Sequence, residues 1–416
     1  MSKIFFFSIP AWGHTNPTIP VVSELVKRGH TVRYYSFTQF KEKIEHTGAE
    51  FVCCDSYLPD LNKAEINRIK KVSTTQMTIT DLETTARMDE MLSRDVKAWK
   101  PDCIVADSVC FWGKLIAKKY QLPFVCSTTT FAFNQHSSRY MQNSFRELAD
   151  MILGLPKISR ALKKLEPLGY HIKNAMEIVQ NDNHTNTIVY TSRNFQPCAE
   201  TFSDCYAFVG PSVKVPVCTD TGAQSQTSHS PSDSGAVSTI RSSSDAKRRK
   251  QIYISMGTIL NEQIDFYKNC ITALKDIDAE VIISIGNAVN PDSFGDIPKN
   301  ISLFPSVDQI RVLTNTDVFL THCGMNSISE SLYLGVPVVM YPQTGEQKAV
   351  AKRTFEMGAG IYLKNGSAEE IRNSIMQVLS HTAYQKSAQK IKEDFQSCPG
   401  PAGAADFIEK IIRQDH

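Results

Sequence analysis

A chain of 416 residues, 42% apolar and 21% charged, carries enough apolar material for more than one buried core, and its length divides most naturally into two domains. With 45 Lys and Arg against 43 Asp and Glu the net charge is +2, which excludes the basic excess of a nucleic-acid binder and favours a small-molecule partner. No stretch has the length and apolarity of a spanning helix, and the start "MSKIFFFSIPAWGH" lacks a small-residue cleavage site. The 11 cysteines, with no C-x-x-C pair, exclude a disulfide framework or zinc site, so the expectation is a soluble, unprocessed, cytoplasmic chain, monomeric or weakly dimeric.

Short apolar runs, each followed by a turn and a helix-like segment, recur along the chain in the pattern of βα units around parallel sheets. In the first half they read "IFFFSI", "TVRYYSF", "CIVA", "PFVCST" and "TIVYTS". Gly13 and His14 follow the first run, at the C-terminal strand edge where open α/β sheets bind ligands, in a segment stiffened by Pro10 and Pro17. The plain reading of His14 is a loop histidine. Cys53 and Cys54 in "EFVCCD" read as strand residues, with a redox pair as the alternative. Asp107 ends "CIVA" as His14 follows "IFFFSI", so both open on one crevice; a helix N-cap is the alternative for Asp107. Phe131, Phe133, Tyr140, Met141 and Phe145 are candidates to line an apolar pocket, or simply core.

Residues 211–250 contain no aromatic residue, no Leu and no Met, and such a composition cannot bury enough apolar surface to order itself. This linker separates an expected N-terminal domain, 1–210, from a C-terminal domain, 251–416, whose last helix is free to pack back on the first domain. The "KRRK" that closes the linker reads as a solvated charge run rather than a nuclear address.

After the linker come "QIYISM", "EVIISIG", "DVFLTH" and "VPVVMYP". Asp276 and Asp278 form a D-x-D, but lie between a helix-like stretch and a strand, so a turn is the expectation and a metal site the alternative. Between 317 and 347 polar residues crowd a strand end. There Gly324 allows a tight turn, a helix starts near Asn326 and Ser327, and its free N–H groups, with His322 as a further donor, suit a diphosphate. Glu330 shares a helix face with Ser327 and can accept from a pair of hydroxyls, as a ribose offers. An S-x-x-E capping box is the competing reading.

The run His322, Cys323, Gly324, Asn326, Ser327, Glu330, Gly335, Pro337, Pro342, Glu346, Gln347 resembles the donor signature of the UDP-dependent glycosyltransferases, which include macrolide and plant secondary-metabolite enzymes. "PAWGHTNP", "FVGPS", "YISMGT" and "GPAGAADFIEKI" extend the resemblance over nearly the whole chain. It implies a GT-B architecture: two doubly wound Rossmann-like α/β domains facing each other across a crevice. By the same resemblance His322 and the backbone around Asn326 and Ser327 hold the diphosphate, Glu330 the ribose, and Glu346 and Gln347 the sugar hydroxyls. Ser255 and Thr258 form a second phosphate loop, and Gln309 reaches the edge of the base. His14 becomes the general base for the acceptor hydroxyl, with Asp107 as its dyad partner.

The chemistry implied is inverting transfer of a hexose, glucose above all, from a UDP-sugar to a small apolar alcohol, with no metal and no cofactor beyond the UDP-sugar co-substrate. One position departs from the family pattern: Ser306 stands where an aromatic ring stacks on uracil, and Phe304, two residues earlier, is the candidate replacement, leaving UDP against dTDP open. A nonhydrolysing sugar-nucleotide epimerase, or a nucleotide-sugar-binding protein without activity, are the alternatives.

Overall fold

The computed structural model describes residues 1–58, 74–141, 145–172, 183–214, 248–258 and 261–414. Most of the expected linker, residues 215–247, lies outside them, as does the side chain of Phe145. Among the described residues no helix is long and apolar enough to cross a membrane.

Residues 3–208 build one parallel sheet from β1 (Lys3–Phe7), β2 (Thr31–Ser36), β3 (Glu50–Cys53), β4 (Cys103–Asp107), β5 (Phe124–Thr128), β6 (Thr187–Val189) and β7 (Tyr206–Phe208). Its order is β3-β2-β1-β4-β5-β6-β7. Residues 250–362 build the second from β8 (Lys250–Ser255), β9 (Ala279–Ser284), β10 (Ile301–Phe304), β11 (Val318–Thr321), β12 (Val338–Met340) and β13 (Gly360–Tyr362), in the order β10-β9-β8-β11-β12-β13. Every pairing is parallel, so each sheet needs crossover helices on its faces, and its strands are apolar on both sides: Ile4 to Phe7 and Cys103 to Ala106 are fully buried. The short β7 and β13, three residues each, carry too little periodicity to stand out as sequence. Cys53 is exposed at the end of β3, and Cys54 is buried just beyond it.

In both sheets the order reverses beside the first strand. β1 has β2 on one side and β4 on the other; β8 has β9 and β11. Successive crossovers there run in opposite directions, so the loops leaving the two central strands part and open a crevice at their C-terminal ends. The register aligns those ends, with Phe7 opposite Ala106 and Ser255 opposite Thr321.

Two features join the halves. The last helix, Gly400–Gln414, buries Ala404, Ala405, Ile408, Ile411 and Ile412 in the core of the first sheet, and Arg28 pairs with its Asp406 at 2.6 Å. A shared core unites Phe131, Tyr140 and Phe195 with Met325, Ile328 and Phe395; Phe195 and Phe395 meet edge to face at 5.3 Å. Of the two readings open for Phe131 and Tyr140, pocket lining or core, the structure places both in the core. Phe131 is 1% exposed, and the Tyr140 hydroxyl donates to Glu356 at 2.8 Å, because aromatic surface at this place closes the joint between the sheets.

Candidate active site

The segment expected as a stiffened loop is helical. Trp12–Thr15 forms one α-turn, Asn16–Thr18 a 3-10 turn and Ile19–Lys27 a helix. Pro17 and Pro20 lie in the first positions of the latter two, where their fixed φ suits a helix and the missing N–H costs nothing. Beneath the turn, Thr15 Oγ1 shares a hydrogen bond with Ser8 Oγ at 3.2 Å, and Thr18 Oγ1 donates to the Thr15 carbonyl while contacting Tyr34 Oη at 2.7 Å. His14 thus projects from a braced turn.

Its Nδ1 lies 2.8 Å from Asp107 Oδ2, and Asp107 has no exposed side-chain area whereas His14 keeps 27%. The other carboxylate oxygen accepts the Val109 N–H at 3.0 Å. The following helix begins only at Phe111 with Cys110 at its N-cap, so Asp107 is no helix cap. Thr129 Oγ1 is 3.1 Å from the same Nδ1. Sequence reading missed Thr129; the "TTT" that ends "PFVCST" on the neighbouring strand was the available signal. An ionised carboxylate only accepts, so Nδ1 carries the proton and Nε2 keeps a free lone pair. Desolvation pulls the imidazole pKa down, but the charge and hydrogen bond of Asp107, with a further contribution from Glu346 across the crevice, hold it above the ordinary histidine value. A third acid was also missed: burial, reinforced by the Asp107 charge, pushes the Asp81 carboxyl up to about 8.

Opposite stands the helix Met325–Tyr333. Its N-cap is Gly324 with no side-chain cap, so Asn326 and Ser327 fall in the first turn, and the S-x-x-E capping box is ruled out because Ser327 is inside the helix. The Asn326 amide crosses to the Gly13 carbonyl at 3.0 Å, joining this turn to the His14 turn. His322 lies against Gly257, at φ +79°, and Gly324. A Cβ on Gly257 would sit 2.5 Å from the ring and one on Gly324 2.6 Å from Nε2, so only glycine permits this packing. Burial pushes His322 down to about 4 against a hydrogen bond to the Ser255 carbonyl. It therefore offers a neutral N–H rather than a positive charge.

Glu330 accepts from Gln309 Nε2 at 2.6 Å, and Gln309 Oε1 accepts from Tyr253 Oη at 3.3 Å. Gln309, expected at the base edge, opens the short helix Gln309–Leu313 and lies against Glu330, the carboxylate read as the ribose acceptor. Burial pushes Glu330 up to about 7, with the Gln309 hydrogen bond opposing. Phe304 is half-buried at the end of β10, and Ser306 is exposed two residues on.

Ser255 ends β8, its Oγ accepting the Gly257 N–H at 3.3 Å, and Thr258 is exposed after it. Glu346 and Gln347 lie in the first turn of the helix Gly345–Glu356. Gln347 completes a capping box with Thr344, and its Oε1 accepts the backbone N–H of Gln343 at 2.7 Å and of Thr344 at 3.2 Å. Only its amide nitrogen remains for a ligand.

Asp276 and Asp278 precede β9, at the opposite end of the sheet from the crevice and about 20 Å from it by strand length. Asp278 pairs with Arg249 at 2.9 Å.

Two switch-point crevices, one with a His–Asp pair and the other with an uncapped helix N-terminus, define a GT-B glycosyltransferase. Residues 268–411 match the family described as Erythromycin biosynthesis protein CIII-like, C-terminal domain. NDP-glycosyltransferase YjiC of Bacillus licheniformis is 32% identical, over 98% of this chain and 97% of that one. Demethyllactenocin mycarosyltransferase of Streptomyces fradiae is 28% identical over 99% and 87%. Among solved structures, CalG4, the calicheamicin glycosyltransferase, superposes with a TM-score of 0.77 at 25% identity, covering 100% of this chain and 99% of its own. The chain belongs to the UDP-glycosyltransferase superfamily and is a glycosyltransferase of the macrolide type, using a sugar-nucleotide donor and an acceptor.

Proposed function

We propose that this glycosyltransferase moves a hexose, glucose first among candidates, from a UDP-sugar to a hydroxyl of a small apolar acceptor with inversion at the anomeric carbon. The observation that carries the reading is the 2.8 Å contact of His14 Nδ1 with the buried Asp107, on a turn tied to the donor-side helix by Asn326. His14 Nε2 takes the acceptor proton as the oxygen attacks the anomeric carbon, and the nucleoside diphosphate leaves from the opposite face. Asp107 stabilises the imidazolium that forms and keeps its tautomer.

Charge gathering on the departing diphosphate is met by the free N–H groups of Met325, Asn326 and Ser327 and by the neutral His322. Metal-independent turnover is part of the reading, because Asp276 and Asp278 lie at the far edge of the sheet from this crevice. Glu330 accepts from the ribose diol, exchanging its Gln309 partner, and Phe304 offers a ring to the base where Ser306 cannot. Glu346, whose charge is felt by His14, and Gln347 beside it meet the sugar hydroxyls, Gln347 through its amide nitrogen alone.

The test is mass spectrometry of a panel of apolar alcohols and phenols incubated with UDP-glucose or dTDP-glucose, with and without EDTA. Hexosylated product of inverted configuration, formed equally in chelator, is expected. UDP release without any acceptor, or turnover only after added magnesium or manganese, overturns the reading.

A further inference from the structure

The carbonyl of Gly13 has an unusual position. In a continuous helix it would accept from the N–H four residues on, but that residue is Pro17, which has none, and the Asn16 N–H goes to the Trp12 carbonyl instead. The partner that Gly13 finds comes from the other sheet: the side-chain amide of Asn326 at 3.0 Å. Asn326 stands in the first turn of the helix Met325–Tyr333, whose N-terminus has no side-chain cap, and an amide nitrogen has two N–H groups, one of which stays free for a second acceptor.

We propose that Asn326 is a positioning residue: its amide holds the Gly13 carbonyl that Pro17 leaves unpaired, and so sets His14 in place from the same helix turn that meets the donor diphosphate. This deepens the reading of His14 as the base and of that turn as the diphosphate site, and it rests on both. Pro17 acquires a specific role. It leaves the Gly13 carbonyl with no i+4 donor from its own helix, so nothing there competes with the Asn326 amide. The donor side and the base are thereby joined through one hydrogen bond next to the reacting centre, and a base displaced by even about 1 Å loses on the order of 100-fold in rate.

Two variants separate positioning from simple diphosphate binding. Asn326→Ala removes the amide; Pro17→Ala leaves the amide in place but supplies the missing N–H, which competes with it for the Gly13 carbonyl. Each is assayed with UDP-glucose and 2-naphthol, and with 2-naphthalenethiol, whose thiol ionises nearer neutral pH and depends less on a base. UDP affinity is measured by calorimetry. Expected in both variants is a fall in kcat toward the naphthol of about 10-fold or more; in Pro17→Ala, which leaves the diphosphate turn untouched, the thiol rate and UDP affinity stay within about 3-fold of wild type. The thiol rate and UDP binding also report that the variants are folded. Equal losses toward naphthol and thiol, or an unchanged naphthol rate in Pro17→Ala, overturn the proposal. His14→Ala is the reference: if it transfers to the naphthol at the wild-type rate, the base assignment itself has failed, a result distinct from the failure of Asn326.

Discussion

Asp107 and His14 stand 93 residues apart in sequence and 2.8 Å apart in the fold, the carboxylate wholly buried and the imidazole partly open to the crevice. That asymmetry suits a base and its support: the carboxylate is shielded from water and the ring edge is accessible to an acceptor. A positioned general base contributes roughly 10²–10⁴ in rate. His14→Ala should therefore abolish nearly all transfer to alcohols and leave UDP affinity near wild type, since the proposed nucleotide site lies on the other sheet. Initial rates and calorimetry on one preparation check this; a wild-type alcohol rate defeats the assignment.

The pH profile follows from the same contact. Burial lowers the His14 pKa, but Asp107 and Glu346 hold it above the ordinary value, and only neutral imidazole accepts a proton. The kcat/KM for alcohols should fall on the acid side with its midpoint above that ordinary value. In Asp107→Asn the charge is lost while burial remains, so the midpoint should move to lower pH and the plateau should drop, by less than in His14→Ala. For stability the sign is that of a raised histidine: the contribution is fully present below the unfolded pKa and is lost as pH rises through the folded one. An acid limb that stays put in Asp107→Asn contradicts this account.

Glu330 is shifted in the same direction, but by burial rather than by a charged partner. Its folded pKa, pushed up to about 7, exceeds the model-peptide value for Glu of about 4.3, so the fold loses stability as pH rises between the two. A charged acceptor binds a diol more strongly than a neutral acid, and UDP-glucose binding should tighten with pH across that window and release protons. Calorimetry in two buffers of different ionisation enthalpy measures the release, which should vanish in Glu330→Gln. Glu330→Ala should cost ~1.5–3 kcal/mol of UDP binding with the fold intact. Unchanged affinity in that variant removes Glu330 from the ribose site.

Residues 217–246 have a composition with little to bury, and closure entropy depends only weakly on loop length. Replacing them with a short Gly-Ser segment should leave turnover within about 3-fold of wild type. A folded replacement that binds UDP yet does not turn over assigns the segment a role in catalysis.

The division of labour between sequence and fold is visible at particular residues. Apolar runs such as "IFFFSI" and "DVFLTH" determined two parallel α/β sheets, because a strand covered by helices on both faces must be apolar throughout. The polar residues crowding the ends of two such runs marked the strand ends and helix starts that face the crevice, where backbone groups are left free. That His14 and Asp107 open on one crevice was also legible. The partners that need a third element were not. Thr129 reaches His14 from the residue just after β5, Gln309 is turned onto Glu330 by the short helix it opens, and Gln347 caps its own helix; each depends on crossing geometry rather than on spacing. Asn326 meets Gly13 across the two sheets, a contact 313 residues long in sequence, and no periodicity encodes it. The protonation states were likewise decided by tertiary structure alone, His322 kept neutral and Glu330 raised, because both follow from how completely neighbouring chain removes water from the group.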